Sequence, residues 1–239
     1  TMMQLIANHV AIIQKKPVLI MSGEMPKEQI AMRLCCAMAP ADIGVLRNAP
    51  HKLPKEEFTA YTNAVVMLKN VPMQINDTSR PSIANIRESI RKTQHQYGLV
   101  GAVLVDYLQI MKTTKPFARE DLKIAYFTGE LKAMAKEFNC VIVLLSQLNR
   151  ELEKRPNKRP VLSDLRESGA IEQDADQIIF LYRDEIYNKE SQFRGIAEAI
   201  VGKNRHGEAG TAYMHAQLKY CQFTNLDHDA LNQIQGNLI

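Results

Sequence analysis

Ala102–Val105 is an apolar run that ends in the carboxylate of Asp106, followed by Tyr107, Leu108 and Gln109. A buried strand that stops on an acid holds a fixed negative charge at the carboxyl edge of a sheet, where α/β domains bind their ligands. In nucleotide hydrolases an acid so placed holds Mg²⁺, usually through the ion's waters, because this small hard ion keeps much of its hydration shell. The same pattern also marks an ordinary turn at a strand end. Glu24 closes a second apolar run, Val18–Ser22, across Gly23, and is followed by Met25 and Pro26. Pro26 suits the first turn of a helix. A carboxylate there can polarise an attacking water as a general base, or simply cap the helix that follows. Val141–Ser146 then runs into Gln147, whose amide can read a terminal phosphate by hydrogen bond.

Such a set needs a phosphate-binding loop of the form G-x-x-x-x-G-K-[ST], and the chain has none. Its Gly202-Lys203 pair is followed by Asn204, and Ala197 stands where the first glycine belongs. The residues alone therefore argue against a nucleotide hydrolase unless the loop lies just before Thr1. Thr1–Ile13 reads as a helix with Leu5, Ile6, Ile12 and Ile13 as apolar positions and no strand in front. A parallel α/β domain normally opens with a strand, so the native chain is expected to extend further upstream.

The elements that must position these groups are legible in the pattern. Short β-rich runs occur at Pro17–Ser22, Val71–Ile75, Val100–Asp106, Val141–Ser146 and Gln177–Tyr182. The first four are nearly continuously apolar, as expected for strands covered on both faces. Between them, Ser82–Gln96 places Ile83, Ile86 and Ile90 on one helical face, and Phe127, Leu131, Met134 and Phe138 recur at helical spacing. The alternation implies right-handed crossovers and a mainly parallel sheet with helices on both faces. Ile196–Gly202 and Thr211–Leu218, joined through Lys203–Gly210, predict an antiparallel C-terminal extension at one sheet edge.

Composition narrows the class. With 46% hydrophobic and 23% charged residues in 239, the chain can bury one large core or at most two small ones, one compact domain being the default, and no stretch has the composition of a disordered tail. The net charge of +4 is a mild excess. It concentrates at Arg150, Lys154, Arg155, Lys158 and Arg159, interrupted by Pro156 and Pro160, which predicts an exposed basic loop. Cys35, Cys36, Cys140 and Cys221 form no C-x-x-C pair and read as reduced core residues. No apolar run is long enough to span a bilayer and the N-terminus lacks a secretion signal, so no membrane role and a cytoplasmic location are expected.

Longer strings carry a resemblance. Ser146-Gln-Leu-Asn-Arg-Glu-Leu-Glu is followed by Lys158-Arg-Pro-Val-Leu-Ser-Asp-Leu-Arg-Glu-Ser-Gly-Ala-Ile-Glu-Gln-Asp-Ala-Asp and then by Tyr182-Arg-Asp-Glu. Together with Val105-Asp-Tyr-Leu-Gln-Ile-Met and Ser22-Gly-Glu-Met-Pro upstream, this series closely resembles the motifs of the bacterial and phage DnaB replicative helicases. It holds in order from Thr1 to about Asp227.

The resemblance implies a RecA-like P-loop core over residues 1–227 and a tail over 228–239, with Thr1 on the last position of the phosphate-binding loop. The failed scan and the absent first strand follow from that placement. By the same resemblance Thr1 and Asp106 hold Mg²⁺, Glu24 is the catalytic base and Gln147 senses the γ-phosphate of ATP. Lys203-Asn-Arg matches a Lys-Gln-Arg signature whose two cations, Lys203 and Arg205, reach the next subunit's nucleotide; read from the residues alone it is a basic turn. Arg166, Glu167 and Gly169 fall on a DNA-facing loop, and Arg119, within Thr113–Asp121, is either a second DNA contact or a solvated surface arginine.

The activity so implied is that of an ATP-dependent 5′→3′ helicase, a homohexameric ring on single-stranded DNA that meets primase and a helicase loader in the full-length protein. Departures from the family pattern are Gly23 for a larger apolar residue, Asn204 for Gln, and His206-Gly-Glu for Asn-Gly-Pro. A RecA-type recombinase would share the core, and a non-hydrolysing DNA-binding or loader module only the surface. The Asp164–Asp176 string weighs against the first, and a complete phosphate loop upstream would weigh against the second.

Overall fold

The computed structural model describes residues 1–165 and 169–227, and the chain divides into two compact units. The first comprises Thr1–Gln147 with Lys219–Gln222. In chain order it holds α1 (Met2–Asn8), β1 (Val18–Ser22), α2 (Lys27–Met38), α3 (Ile43–Asn48), α4 (Lys55–Leu68), β2 (Met73–Asn76), α5 (Ile83–Tyr97), β3 (Ala102–Asp106), α6 (Glu120–Glu137) and β4 (Val141–Leu144). Its four strands form a parallel sheet in the order β2-β1-β3-β4.

The central strands are buried along their length, because helices cover both faces. Val18 and Ile20 pair in register with Ala102 and Leu104 and pack with Met3, Ala7, Ile30 and Leu34 of α1 and α2. Side chains alternate across a strand, so Leu19, Met21, Val103 and Val105 face the other way, toward the side of α5 and α6. There α5 buries Ile83, Ile86 and Ile90, and α6 buries Phe127, Leu131 and Met134, the two stripes read from the sequence. Each fully buried side chain of this size contributes about 1.5–3 kcal/mol. Arg87 of α5 pairs with Glu130 and Glu137 of α6.

The sheet edges differ from the expectation of strands covered on both faces: β2 is half-buried throughout, and β4 begins on Val141, which is exposed. An apolar run does not reveal whether its strand is central or at an edge.

Local chemistry sets the helix starts. Ser82 caps α5 by accepting from Asn85 N–H at 3.2 Å, while the Asn85 side chain accepts from Ser82 N–H at 3.0 Å. Asp42 caps α3 by accepting from Gly44 N–H and Val45 N–H. On α1 the amide oxygens of Gln4 and Asn8, one turn apart, are buried without a hydrogen-bond partner.

The second unit comprises Leu148–Leu218 and Phe223–Ile239. It contains α7 (Gly169–Asp174), β5 (Gln177–Tyr182), β6 (Ile196–Asn204) and β7 (Gly210–Gln217), and with β8 (Gln222–Asn225) the strands form an antiparallel sheet in the order β5-β6-β7-β8. The expected antiparallel extension is thus a sheet of its own that also takes Gln177–Tyr182, read above as part of the alternating α/β series. Strand β5 is exposed at alternate positions, including Ile179 and Leu181, the signature of a one-face sheet.

The run from Arg150 to Arg159 is only partly the exposed basic loop expected. Arg150–Lys154 forms a short 3₁₀ turn, Arg155 grips both oxygens of the buried Asp164 at 2.9 and 2.7 Å, and Arg159 grips both oxygens of the buried Glu198 at 2.8 and 2.7 Å. Their acidic partners lie nine and 39 residues away, too far for a local charge count to pair them.

Candidate functional site

In the first unit the polar strand tips lie along one sheet edge. Ser22 pairs in register with Asp106, and the ladder extends one bond further, with Gly23 N–H donating to the Asp106 carbonyl at 2.9 Å. Glu24 follows on an exposed turn that Ser22 fixes: its hydroxyl accepts from Met25 N–H at 3.2 Å and donates to the Met25 carbonyl at 2.8 Å. Gly23 has a steric reason. A Cβ there would lie 2.3 Å from Ile110 Cδ1 and 3.1 Å from Pro81 Cδ, so Ile110 fills the space that a larger residue at this position would take.

Asp106 is half-buried, and its carboxyl pKa is pushed up, first by burial and then by the Glu24 carboxylate, with the backbone nitrogen of Thr1 in range of the same group. Thr1, Glu24 and Asp106 therefore share one electrostatic neighbourhood. A half-buried carboxylate with a second carboxylate nearby favours a cation close by. Thr1 stands at the start of α1, where its carbonyl accepts from Leu5 N–H at 3.2 Å and its hydroxyl makes no capping bond. A hydroxyl and a carboxylate are hard oxygen donors of the kind Mg²⁺ takes. Arg33 of α2 lies in range of Thr1, as Asp106 does, and brings a guanidinium into the same neighbourhood. The sequence reading passed over Arg33, because one arginine in an amphipathic helix carries no motif.

Gln147 is exposed three residues beyond β4. Its backbone N–H donates to Gln109 Oε1 at 3.2 Å, and Gln109 Nε2 donates to Ser146 Oγ at 2.9 Å. Gln109 stands in the motif string that follows the Asp106 strand, but the sequence gives it no role of its own.

Lys203 and Arg205 lie in the second unit. Lys203 belongs to β6, so it is a strand residue and not part of a turn, and Arg205 comes just after the strand ends. Both cations cap α7: Lys203 Nζ donates to the carbonyls of Glu172 and Ala175, and Arg205 donates to the Gln173 carbonyl at 3.2 Å and to Asp176 Oδ1 at 3.1 Å. Cations at a helix C-terminus satisfy its last carbonyls and its negative dipole end. With Gly169, Glu172 and Gln173 they line an open recess of about 460 Å³. Gly202 seats this pair against the sheet, since a Cβ there would come within 2.6 Å of the Phe180 ring.

Gly169 is the first residue of α7, with open space where a Cβ would stand. Arg166 and Glu167 lie outside the described residues. The chain enters that loop from a firm base: Leu165 bridges Leu148, Asn149 N–H donates to the Asp164 carbonyl at 2.7 Å, and Arg155 holds the Asp164 carboxylate. Arg119, in the first unit, is exposed at the N-terminus of α6 and pairs with Asp121. Among the described residues its guanidinium hydrogen-bonds the Asp121 carboxylate.

Residues 1–225 match the family described as DnaB-like helicase C terminal domain. The replicative DNA helicase DnaB of Haemophilus influenzae is 41% identical over 222 residues, which cover 92% of this chain and 47% of that protein. Its counterpart in Geobacillus stearothermophilus is 38% identical over 223 residues, covering 93% of this chain and 48% of the relative. The chain thus spans about half the length of the curated relatives it matches. Among solved structures, the ATPase domain of G40P superposes with a TM-score of 0.85 at 35% identity, over 90% of this chain and 76% of that one. A DnaB-like replicative helicase solved for its interactions with primase gives the same TM-score and identity, over 90% of this chain and 52% of that one. On the sheet, the strand tips and these matches, the chain belongs to the family of DnaB-like helicase C-terminal domains.

Proposed function

We propose that the chain is the ATP-hydrolysing motor of a replicative DNA helicase, a homohexameric ring that translocates 5′→3′ on single-stranded DNA and unwinds duplex DNA in the cytoplasm. Residues 1–227 make up the motor and 228–239 a C-terminal tail. The observation that carries this reading is the convergence of Thr1, Glu24 and Asp106 in one electrostatic neighbourhood at the carboxyl edge of a parallel sheet. Kinship with proteins named replicative DNA helicases supports it.

Mg²⁺-ATP bound at this edge supplies a polarised terminal phosphoryl group. The Thr1 hydroxyl and the Asp106 carboxylate would hold the ion. Glu24, exposed on its turn, takes a proton from the attacking water at its carboxylate. Gln147 hydrogen-bonds the terminal phosphate from the next strand tip. Lys203 and Arg205 serve the nucleotide of the neighbouring subunit, leaving the α7 carbonyls as they do so. Arg166, Glu167 and Gly169, with Arg119, face the DNA backbone in the channel. Primase and a helicase loader are partners of the full-length protein, the first supported by the related helicase solved for its interactions with primase.

The test uses the full-length protein. ATP hydrolysis should rise when single-stranded DNA is added, and a forked duplex with a 5′ loading tail should be unwound while one with only a 3′ tail is not. Hydrolysis indifferent to DNA, or equal unwinding from 3′ tails, would overturn the reading.

A further inference from the structure

We infer that Gln109 is a positioning residue for hydrolysis, setting the place of Gln147 from the strand that carries Asp106. This rests on the reading of Gln147 as the γ-phosphate sensor. The β3–β4 ladder pairs Val105 with Leu144 and continues with Leu145 N–H donating to the Val105 carbonyl and Leu108 N–H donating to the Leu145 carbonyl, both at 2.9 Å. Beyond that point the chain after β3 turns into the short 3₁₀ turn Leu108–Ile110. The side chain of Gln109 takes over where the backbone leaves off: its oxygen accepts from Gln147 N–H and its nitrogen donates to Ser146 Oγ. One amide thereby holds two successive residues of the sensor tip.

The amide is itself held. Leu108 and Met111 on either side are buried, and Ile110 closes over Gly23, beside Glu24. A single turn following Asp106 thus touches the tips that carry both Glu24 and Gln147. Gln147 is exposed, so its backbone anchor decides where its amide stands. Misplacing a group by about 1 Å at a reacting centre can cost up to about 100-fold in rate.

The test is steady-state kinetics of DNA-stimulated ATP hydrolysis in the full-length helicase. Gln109→Met keeps the volume and removes both bonds; Ser146→Ala removes one. In Gln109→Met, kcat should fall between about tenfold and 100-fold while KM for ATP stays within about twofold, a split that general loss of structure would not give. Ser146→Ala should lose less. The double variant Gln109→Met/Gln147→Ala should be no slower than Gln147→Ala alone, because both act through one group. If Gln109→Met fails to fold, a kcat loss in Ser146→Ala that vanishes in the Gln147→Ala background decides the matter in the same way.

Additive losses, or a KM that rises in step with the fall in kcat, would overturn the assignment. A slow Gln147→Ala beside a wild-type Gln109→Met sinks the role of Gln109 alone, whereas a wild-type Gln147→Ala sinks the sensor reading and this inference with it.

Discussion

Asp106 and Glu24 are both carboxylates at one sheet edge, yet their surroundings separate them: Asp106 is half-buried and pushed toward the neutral form, while Glu24 is exposed on a turn. Removing the charge of each should therefore have different consequences. Asp106→Asn in the full-length protein should nearly abolish ATP hydrolysis while leaving nucleotide binding largely intact, because its carboxylate acts through the metal; turnover near wild type would remove Asp106 from the site. The cysteines make a second case at this scale. Burial pushes the Cys36 thiol up to about 12 and the Cys35 thiol up to about 11, and Cys221 is pushed up by the same cause. A buried, protonated thiol is a poor nucleophile. Mild alkylation of the native protein should spare these three and label them after denaturation, as mass spectrometry of tryptic peptides would show; rapid native labelling of Cys36 would contradict its burial.

Among elements, α1 and β6 each carry a polar group whose burial has an energetic consequence. Gln4 on α1 is 3% exposed with an unpartnered amide oxygen. A buried acceptor left without a donor costs about 1–3 kcal/mol, so Gln4→Met, of similar length, should stabilise the fold by about 1 kcal/mol, read as a higher denaturant midpoint. A lower midpoint would mean that the amide is satisfied in solution.

On β6 the pair of Arg159 with Glu198 is asymmetric, since the Arg159 side chain is 31% exposed and that of Glu198 only 5%. Loss of Glu198 lets the guanidinium swing into water. Loss of Arg159 strands a buried carboxylate and also removes the cation that sits 5.0 Å from the Tyr182 ring centroid. Arg159→Met should therefore destabilise β6 by about 3 kcal/mol and Glu198→Gln by clearly less, measured as hydrogen exchange of the β6 amides. The reverse order would show that the pair is wetter than its burial implies. Breaking the exposed Lys92–Glu88 pair on α5 should leave the melting temperature unchanged.

For the whole molecule, the proposed ring makes two statements that no single subunit can satisfy. Binding to single-stranded DNA should tolerate any base sequence and weaken steeply with salt, because phosphate contacts release counterions; affinity that barely changes between low and physiological salt would contradict it. The second statement concerns which subunit owns which group. An Arg205→Ala ring and a Glu24→Gln ring should each be nearly inactive. In mixed rings, an interface where a Glu24→Gln subunit offers its intact Arg205 to an Arg205→Ala subunit regains both groups. Single-turnover ATP cleavage should therefore recover in part on mixing. If subunit exchange is confirmed and cleavage does not recover, Arg205 does not act in trans.

The alternation of short apolar runs with helical stripes was enough to expect a parallel sheet with helices on both faces. The period of burial is written into the residues: Ile83, Ile86 and Ile90 or Phe127, Leu131 and Met134 can share a buried face only as helices. The acids at Asp106 and Glu24 were legible for a related reason, since an apolar run ending in a charge locates a strand tip without knowledge of its neighbours. What only the tertiary structure decided is which strands pair and which distant charges meet. Strand Gln177–Tyr182 has the residues of the parallel series but pairs antiparallel with β6, because pairing depends on the chain returning from residues 196–204. Arg155 and Arg159 counted as free positive charge until Asp164 and Glu198 came to meet them. Gln109 looked like one polar residue after a strand; its amide became significant when the turn following Asp106 brought it against the tip of β4, a contact across 38 residues that no local pattern encodes.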